Sequence, residues 1–151
     1  MLKEVMFRDI DGIRNEMTAM ADDIFDHPEI GLEEFHAQKV LTDWLEKEGF
    51  AVERGVAGVE TAFKAVYRQG EGGPYTITVY GTPAEESVSG KIRMIQNGCT
   101  FEELDAALMM HGGPATQVDV KSLANSKYKV IFHGVSAHAA IKPEKGRSAL
   151  D

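Results

Sequence analysis

One cysteine, Cys99, is all the thiol this 151-residue chain possesses, so no internal disulfide can brace it. Positive charge is also scarce: 16 Lys and Arg stand against 24 Asp and Glu, for a formal net charge of -8. That balance argues against nucleic acid as a partner, because no basic patch is available to displace counterions from phosphates. It argues against an anionic membrane surface for the same reason. No apolar stretch approaches the ~20 residues of a membrane span. The opening Met1-Leu2-Lys3-Glu4-Val5 lacks the basic and apolar blocks of a secretory signal. Internal repeats and low-complexity tracts are missing too. Together these absences set the expectation of a soluble, cytoplasmic protein.

What is present is a globular balance, 43% hydrophobic and 26% charged, long enough for one ordinary domain with a core. Ile10, Ile13, Met17, Met20 and Ile24 recur at steps of three and four, which predicts a helix over about 7–26. Asp26-His27-Pro28 ends it, since the residue before proline disfavours helix. A second helix is expected from about Glu33 to Lys47 or Glu48, with Ala37, Val40, Leu41, Trp44 and Leu45 as its stripe and Gly49 as its stop. Strands are expected at 50–53, 61–67 and 75–80, the last two by alternation. The loop from Arg68 to Pro74 separates them. Val88 to Asn97 reads as a helix with Ile92 and Ile95 inward, closed by Gly98. The nearly unbroken apolar run 104–110 reads as a strand covered on both faces. Further strands are expected at 117–120 and 128–133, and a helix start at 146–151. The order implies a mixed α/β sheet and then a second unit.

The residues that carry chemistry lie at two strand ends. Tyr80-Gly81-Thr82-Pro83-Ala84 runs into Glu85 and Glu86, and Ala107-Leu108-Met109-Met110 runs into His111. In open α/β sheets the C-terminal strand edge is where sites sit. Adjacent residues outside a regular helix point different ways, so one carboxylate can ligate a cation while the other faces a water. A base in that position should have its pKa raised by burial or a like charge. The plainer alternative is a solvated acidic pair at a helix start. His111 is either a ligand or a hydrogen-bonded strand-end histidine. His138, among the small residues of Gly134-Val135-Ser136-Ala137-His138-Ala139-Ala140, can approach a ligand closely or can be a surface histidine. His27 reads as a helix-terminus cation, His36 as a solvated residue on a polar helix face, His133 as half-exposed on a strand, and Cys99 as a small packed residue.

Several stretches agree on one resemblance. His27-Pro28-Glu29-Ile30-Gly31 with Glu33-Glu34 and Gly49-Phe50 comes first, then Gly55-Val56-Ala57-Gly58 with Thr61. Gly81-Thr82-Pro83-Ala84-Glu85-Glu86, Ala107 to His111, and Ser136 to Ala140 with Pro143 and Gly146 to Asp151 follow. Taken together the chain resembles the metal-dependent amidohydrolases of the aminoacylase and carboxypeptidase-like kind. These include hippurate, indoleacetyl-amino-acid and aminobenzoyl-glutamate hydrolases. The resemblance implies Glu85 as general base, Glu86 and His111 as metal ligands, and His138 as a substrate contact, often across a dimer interface. It implies two divalent metals, zinc or manganese, sharing a water that attacks an amide carbon. The substrate would be an N-acyl amino acid or related small amide, and the lid would form a homodimer.

The same resemblance exposes a gap. The family carries a block reading roughly His-Ala-Cys-Gly-His-Asp/Asn ahead of its Glu-Glu strand, and here Gly73-Pro74 runs directly into Tyr75. The expected architecture is therefore α/β: a partial mixed sheet flanked by helices over residues 1–118, with a deletion junction at 74/75. The start of an α+β lid would occupy 119–151. Glu86 and His111 are two protein ligands, whereas catalytic zinc takes three, so metals should be held weakly or not at all. The alternative to an active hydrolase is a non-catalytic remnant or fragment that keeps a fold or an association surface. Loss of a strand and helix should leave unpaired edges and drive association, unless the sheet has closed into a smaller one.

Overall fold

The computed structural model describes residues 2–69, 75–118, 126 and 128–149. The chain divides into two units, 1–107 and 108–151.

The first unit opens with helix α1, Leu2–Asp26, followed by α2, Phe35–Lys47. The apolar stripe sets α1 as the sequence predicts, yet none of its residues is buried. Its second half meets α2, with Lys47 Nζ 2.5 Å from Glu16 and His36 Nε2 2.9 Å from Asp23. Between the helices, Ile30–Glu33 form a turn in which Leu32 takes a left-handed φ of 73°. That turn delays α2 to Phe35, later than the periodicity suggests. Gly49, at φ 89°, ends the helix as expected.

Strands β1 (Ala51–Arg54), β2 (Phe63–Arg68) and β3 (Thr76–Gly81) follow. They form one sheet in the order β1-β2-β3, and both pairs are antiparallel. The β2–β3 register runs from Phe63 opposite Gly81 to Arg68 opposite Thr76.

Alternation on β2 sends Phe63 and Ala65 to α2, where they pack with Leu45, Leu41, Trp44, Phe50, Val52 and Val79. Gln38 fixes α2 over the strand by donating to the carbonyls of Glu60 (2.8 Å) and Ala62 (3.0 Å). A second cluster gathers Val59, Ala62 and Met94 with Leu32, Val56, Tyr80 and Cys99. Cys99 is packed there, as the sequence reading has it.

The helix expected over 88–97 is broken. Helix α3, Glu85–Val88, and α4, Gly90–Gln96, are separated by Ser89, whose φ is 57°. Its inward residues are Gly90 and Met94, not Ile92 and Ile95, which are exposed. The reason is packing: Met94 fills the second cluster, and residues two before and one after it turn to other faces of the helix.

The strand expected at 104–110 does not form. Those residues lie outside any element, and Leu108 and Met110 are fully exposed. An apolar run becomes a buried strand only with neighbours to pair it, and the described sheet ends at β3. In the second unit, 128–133 is likewise not a strand, and the regular pairing is a single antiparallel bridge between Val135 and Arg147. A short 3-10 helix, Pro143–Lys145, precedes Arg147. Residues 146–149 are not helical. The expected strand at 117–120 lies partly outside the described residues, and 117–118 is irregular. No described helix is long and apolar enough to cross a membrane.

Candidate functional site

The turn that ends β3 is tightly built. Thr82-Pro83-Ala84 turns the chain from Gly81 into α3, and Ala84 adopts φ 55°. Non-glycine residues in the left-handed region cost about 1–2 kcal/mol each, so surrounding contacts must hold this shape. Glu34, just before α2, supplies one. Its Oε1 accepts the Ala84 N–H at 2.8 Å and its Oε2 accepts the Thr61 hydroxyl at 3.0 Å.

Three glycines let the turn close. A Cβ on Gly90 would stand 1.7 Å from the Pro83 carbonyl oxygen, and one on Gly81 would stand 2.1 Å from the Phe63 ring. At Gly31 it would meet the Ser87 hydroxyl at 2.6 Å.

Glu85 and Glu86 are thus presented side by side at the start of α3. Glu85 faces α4: the Lys91 N–H donates to its Oε2 at 3.0 Å, and the Lys91 ammonium lies 3.0 Å from Oε1. Burial pushes the Glu85 carboxyl up, but these donors outweigh it and hold the group below the ordinary carboxylate range. The direction is opposite to the raised pKa that the sequence reasoning anticipates for a base. The consequence is a carboxylate that rests ionised at neutral pH.

His111 and His138 belong to the second unit. His111 lies in irregular chain with Nδ1 2.8 Å from the Gly112 carbonyl oxygen. His138 begins a turn: its Nδ1 accepts the Ala140 N–H at 3.2 Å, and its carbonyl accepts from Ile141 and Lys142. Glu85 and Glu86 lie in the first unit, and His111 and His138 in the second. As the expected ligands, Glu86 and His111 would number two where three are the rule, so the expected donor set does not fit a complete metal pair.

Sequence reasoning missed a different cluster. Among the described residues, Asp23, His27 and His36 bring three ligand atoms within 4.8 Å of one another. His27 sits one turn beyond Asp23, with Nδ1 3.2 Å from Oδ1, and His36 approaches from α2. Their rings pack at 4.6 Å between centroids, tilted by 45°. His36 is therefore not simply solvated. The Asp-x-x-x-His spacing is visible in the sequence, but the third member depends on how two helices meet. Glu34 was missed for a similar reason, because its partners are 27 and 50 residues away.

No protein-family model matches the chain. It is similar to one of the subunits of the p-aminobenzoyl-glutamate hydrolase of Escherichia coli (strain K12), at 31% identity over 202 positions, covering 94% of this chain and 42% of that protein. The Homo sapiens Xaa-Arg dipeptidase is 25% identical over 200 positions, covering 94% of this chain and 46% of its own length. An indole-3-acetyl-aspartic acid hydrolase of Enterobacter agglomerans is 39% identical over 74 positions, 45% of this chain and 17% of that protein. The chain spans less than half the length of these curated relatives. In the first match, 94% of 151 residues is about 142, against 202 aligned positions, so about 60 positions have no residue here.

Proposed function

Because this chain belongs to the aminoacylase-like amidohydrolase family, we propose that it carries the base-bearing turn of an enzyme that cleaves N-acyl amino acids, without a complete metal site of its own. The three relatives act, by name, on aminobenzoyl-glutamate, Xaa-Arg dipeptides and indole-3-acetyl-aspartate. Each of those joins an acyl group through an amide to an amino acid with a free carboxylate. The match across 94% of the chain to the first of them is the observation that carries the reading.

In this assignment Glu85 is the general base. It takes a proton from the attacking water while the water oxygen bonds to the amide carbon, and returns it to the nitrogen as the carbon–nitrogen bond breaks. Lys91 keeps that carboxylate ionised between cycles. Glu86 and His111 are the metal ligands that remain, and His138 contacts substrate. The resemblance implies two divalent metals, zinc or manganese, which would polarise the carbonyl and activate the water. The segment after about residue 118 is assigned to a lid that pairs two copies.

The roughly 60-position gap in the alignment supports the reading that a block is missing, with 74/75 as the proposed junction. On that basis the 151 residues alone do not turn over amides. Purified chain supplied with zinc or manganese should leave an N-acyl amino acid intact, and Glu86→Gln or His111→Ala should not change its metal content. Measurable cleavage that disappears in Glu85→Gln would overturn the incomplete-site reading.

A further inference from the structure

We propose that Asp23, His27 and His36 bind one divalent transition-metal ion of the zinc class, at a site separate from Glu86 and His111. Two imidazoles and one carboxylate are the three protein ligands of an open zinc-type site, with the fourth position left to water. Imidazole donors favour zinc, cobalt or nickel over magnesium and calcium, which prefer all-oxygen sets.

The distances suit the assignment. A tetrahedral ion with bonds of about 2.0–2.1 Å separates its ligand atoms by roughly 3.3–3.4 Å. His36 Nε2 stands 2.9 Å from Asp23 Oδ2, and His27 Nδ1 stands 3.2 Å from Asp23 Oδ1. All three donors fall within 4.8 Å, so small side-chain rotations admit an ion. His27 Nδ1 also lies 2.8 Å from the Asp23 carbonyl oxygen, a contact its N–H makes in the metal-free protein.

Delivery of the ligands is rigid. Asp23 lies in the last turn of α1, and His27, four residues on, directly follows the helix on the same side. His36 is the second residue of α2, and its backbone is pinned from outside the cluster. Glu29 accepts the His36 N–H at 2.8 Å through Oε1 and the Ala37 N–H at 3.0 Å through Oε2. Both Glu29 oxygens are therefore engaged, which leaves Asp23 as the carboxylate ligand. The Asp23 and His36 side chains are 40% and 36% exposed, enough for an ion to enter and keep a water. A bound ion would staple the end of α1 to the first turn of α2.

The test uses the full chain in metal-free buffer. Zinc binding is followed by calorimetry, and cobalt binding by the visible absorption of a nitrogen-ligated tetrahedral ion. One ion per chain is expected, together with a rise in melting temperature. His36→Ala, Asp23→Asn and His27→Gln should each weaken binding by at least the ~10–100-fold that loss of a supporting group costs a metal site. Each should also abolish the melting shift, with circular dichroism confirming retained helix. Glu86→Gln and His111→Ala should change neither. No ion bound, or binding unaltered in all three cluster variants, would overturn the site. Binding lost in Glu86→Gln but kept in His36→Ala would assign the ion to the hydrolase residues instead.

Discussion

The Glu34 carboxylate accepts the backbone N–H of Ala84 at 2.8 Å, tying the start of α2 to the turn that presents Glu85. The same carboxylate holds the Thr61 hydroxyl, so one side chain joins three segments. Glu34→Ala removes the acceptor from both donors, and should cost about 1–3 kcal/mol in urea unfolding, the range for stranding a partly buried donor. Hydrogen exchange should show the Ala84 amide losing protection before the sheet does.

Gly90 and Gly12 make opposite predictions from the same substitution. Gly90→Ala drives a Cβ into the Pro83 carbonyl, a backbone atom that cannot swing aside. A cost at or above the ~1–3 kcal/mol of overpacking is expected. Gly12 lies inside α1 with nothing within 4 Å of an added Cβ, so Gly12→Ala should stabilise by about 0.5–1 kcal/mol. Paired denaturation curves check both.

Acid should loosen the unit through depressed carboxyls. Glu29 is lowered by the backbone N–H groups of Ala37 and His36, against the opposing effect of desolvation. Glu85 is raised by burial and lowered more strongly by Lys91. A group whose folded pKa is depressed contributes stability above its ordinary value, and that contribution disappears as pH falls through the folded value. Melting temperature should therefore decline from just above the ordinary carboxylate range downward. Glu29→Gln should flatten that decline, and a slope unchanged in the variant would contradict the assignment.

Met94 is fully buried in the second cluster, against Val59 and Ala62. Met94→Ala should cost about 2–5 kcal/mol. Ile92→Ala, on an exposed face two residues away, should stay within ~0.5 kcal/mol. A thermal scan of the two variants separates the observed inward face from the one the sequence suggests.

The legible parts of this chain are those set by local pattern. The stripes from Ile10 to Ile24 and from Ala37 to Leu45 mark α1 and α2, and alternation marks β2 and β3 within one or two residues. Gly49 and Gly98 end their helices with the left-handed φ that glycine adopts freely. Pattern fails where partners decide. The run at 104–110 has the composition of an internal strand but lies unpaired. The break at Ser89 lies beside the close approach of Gly90 to Pro83, and no periodicity encodes either. The Asp23–His27–His36 cluster and the Glu34 clamp join helices and turns that only the folded chain brings together. Glu85 and Glu86 were readable as a strand-end pair, whereas the Lys91 contact that keeps Glu85 ionised was not.

The division of labour between the two glutamates is the centre of this account, and a graft tests it. Residues 75–118 would replace the matching segment of the human Xaa-Arg dipeptidase, which supplies the remaining chain. Turnover of an Xaa-Arg dipeptide and metal content would be measured on the folded graft. Glu85→Gln should lower kcat by about 10²–10⁴-fold, the contribution of a general base, while bound metal stays constant. Glu86→Gln should lose metal. A Glu85→Gln graft that keeps full activity, or that loses metal while Glu86→Gln retains it, would contradict the assignment.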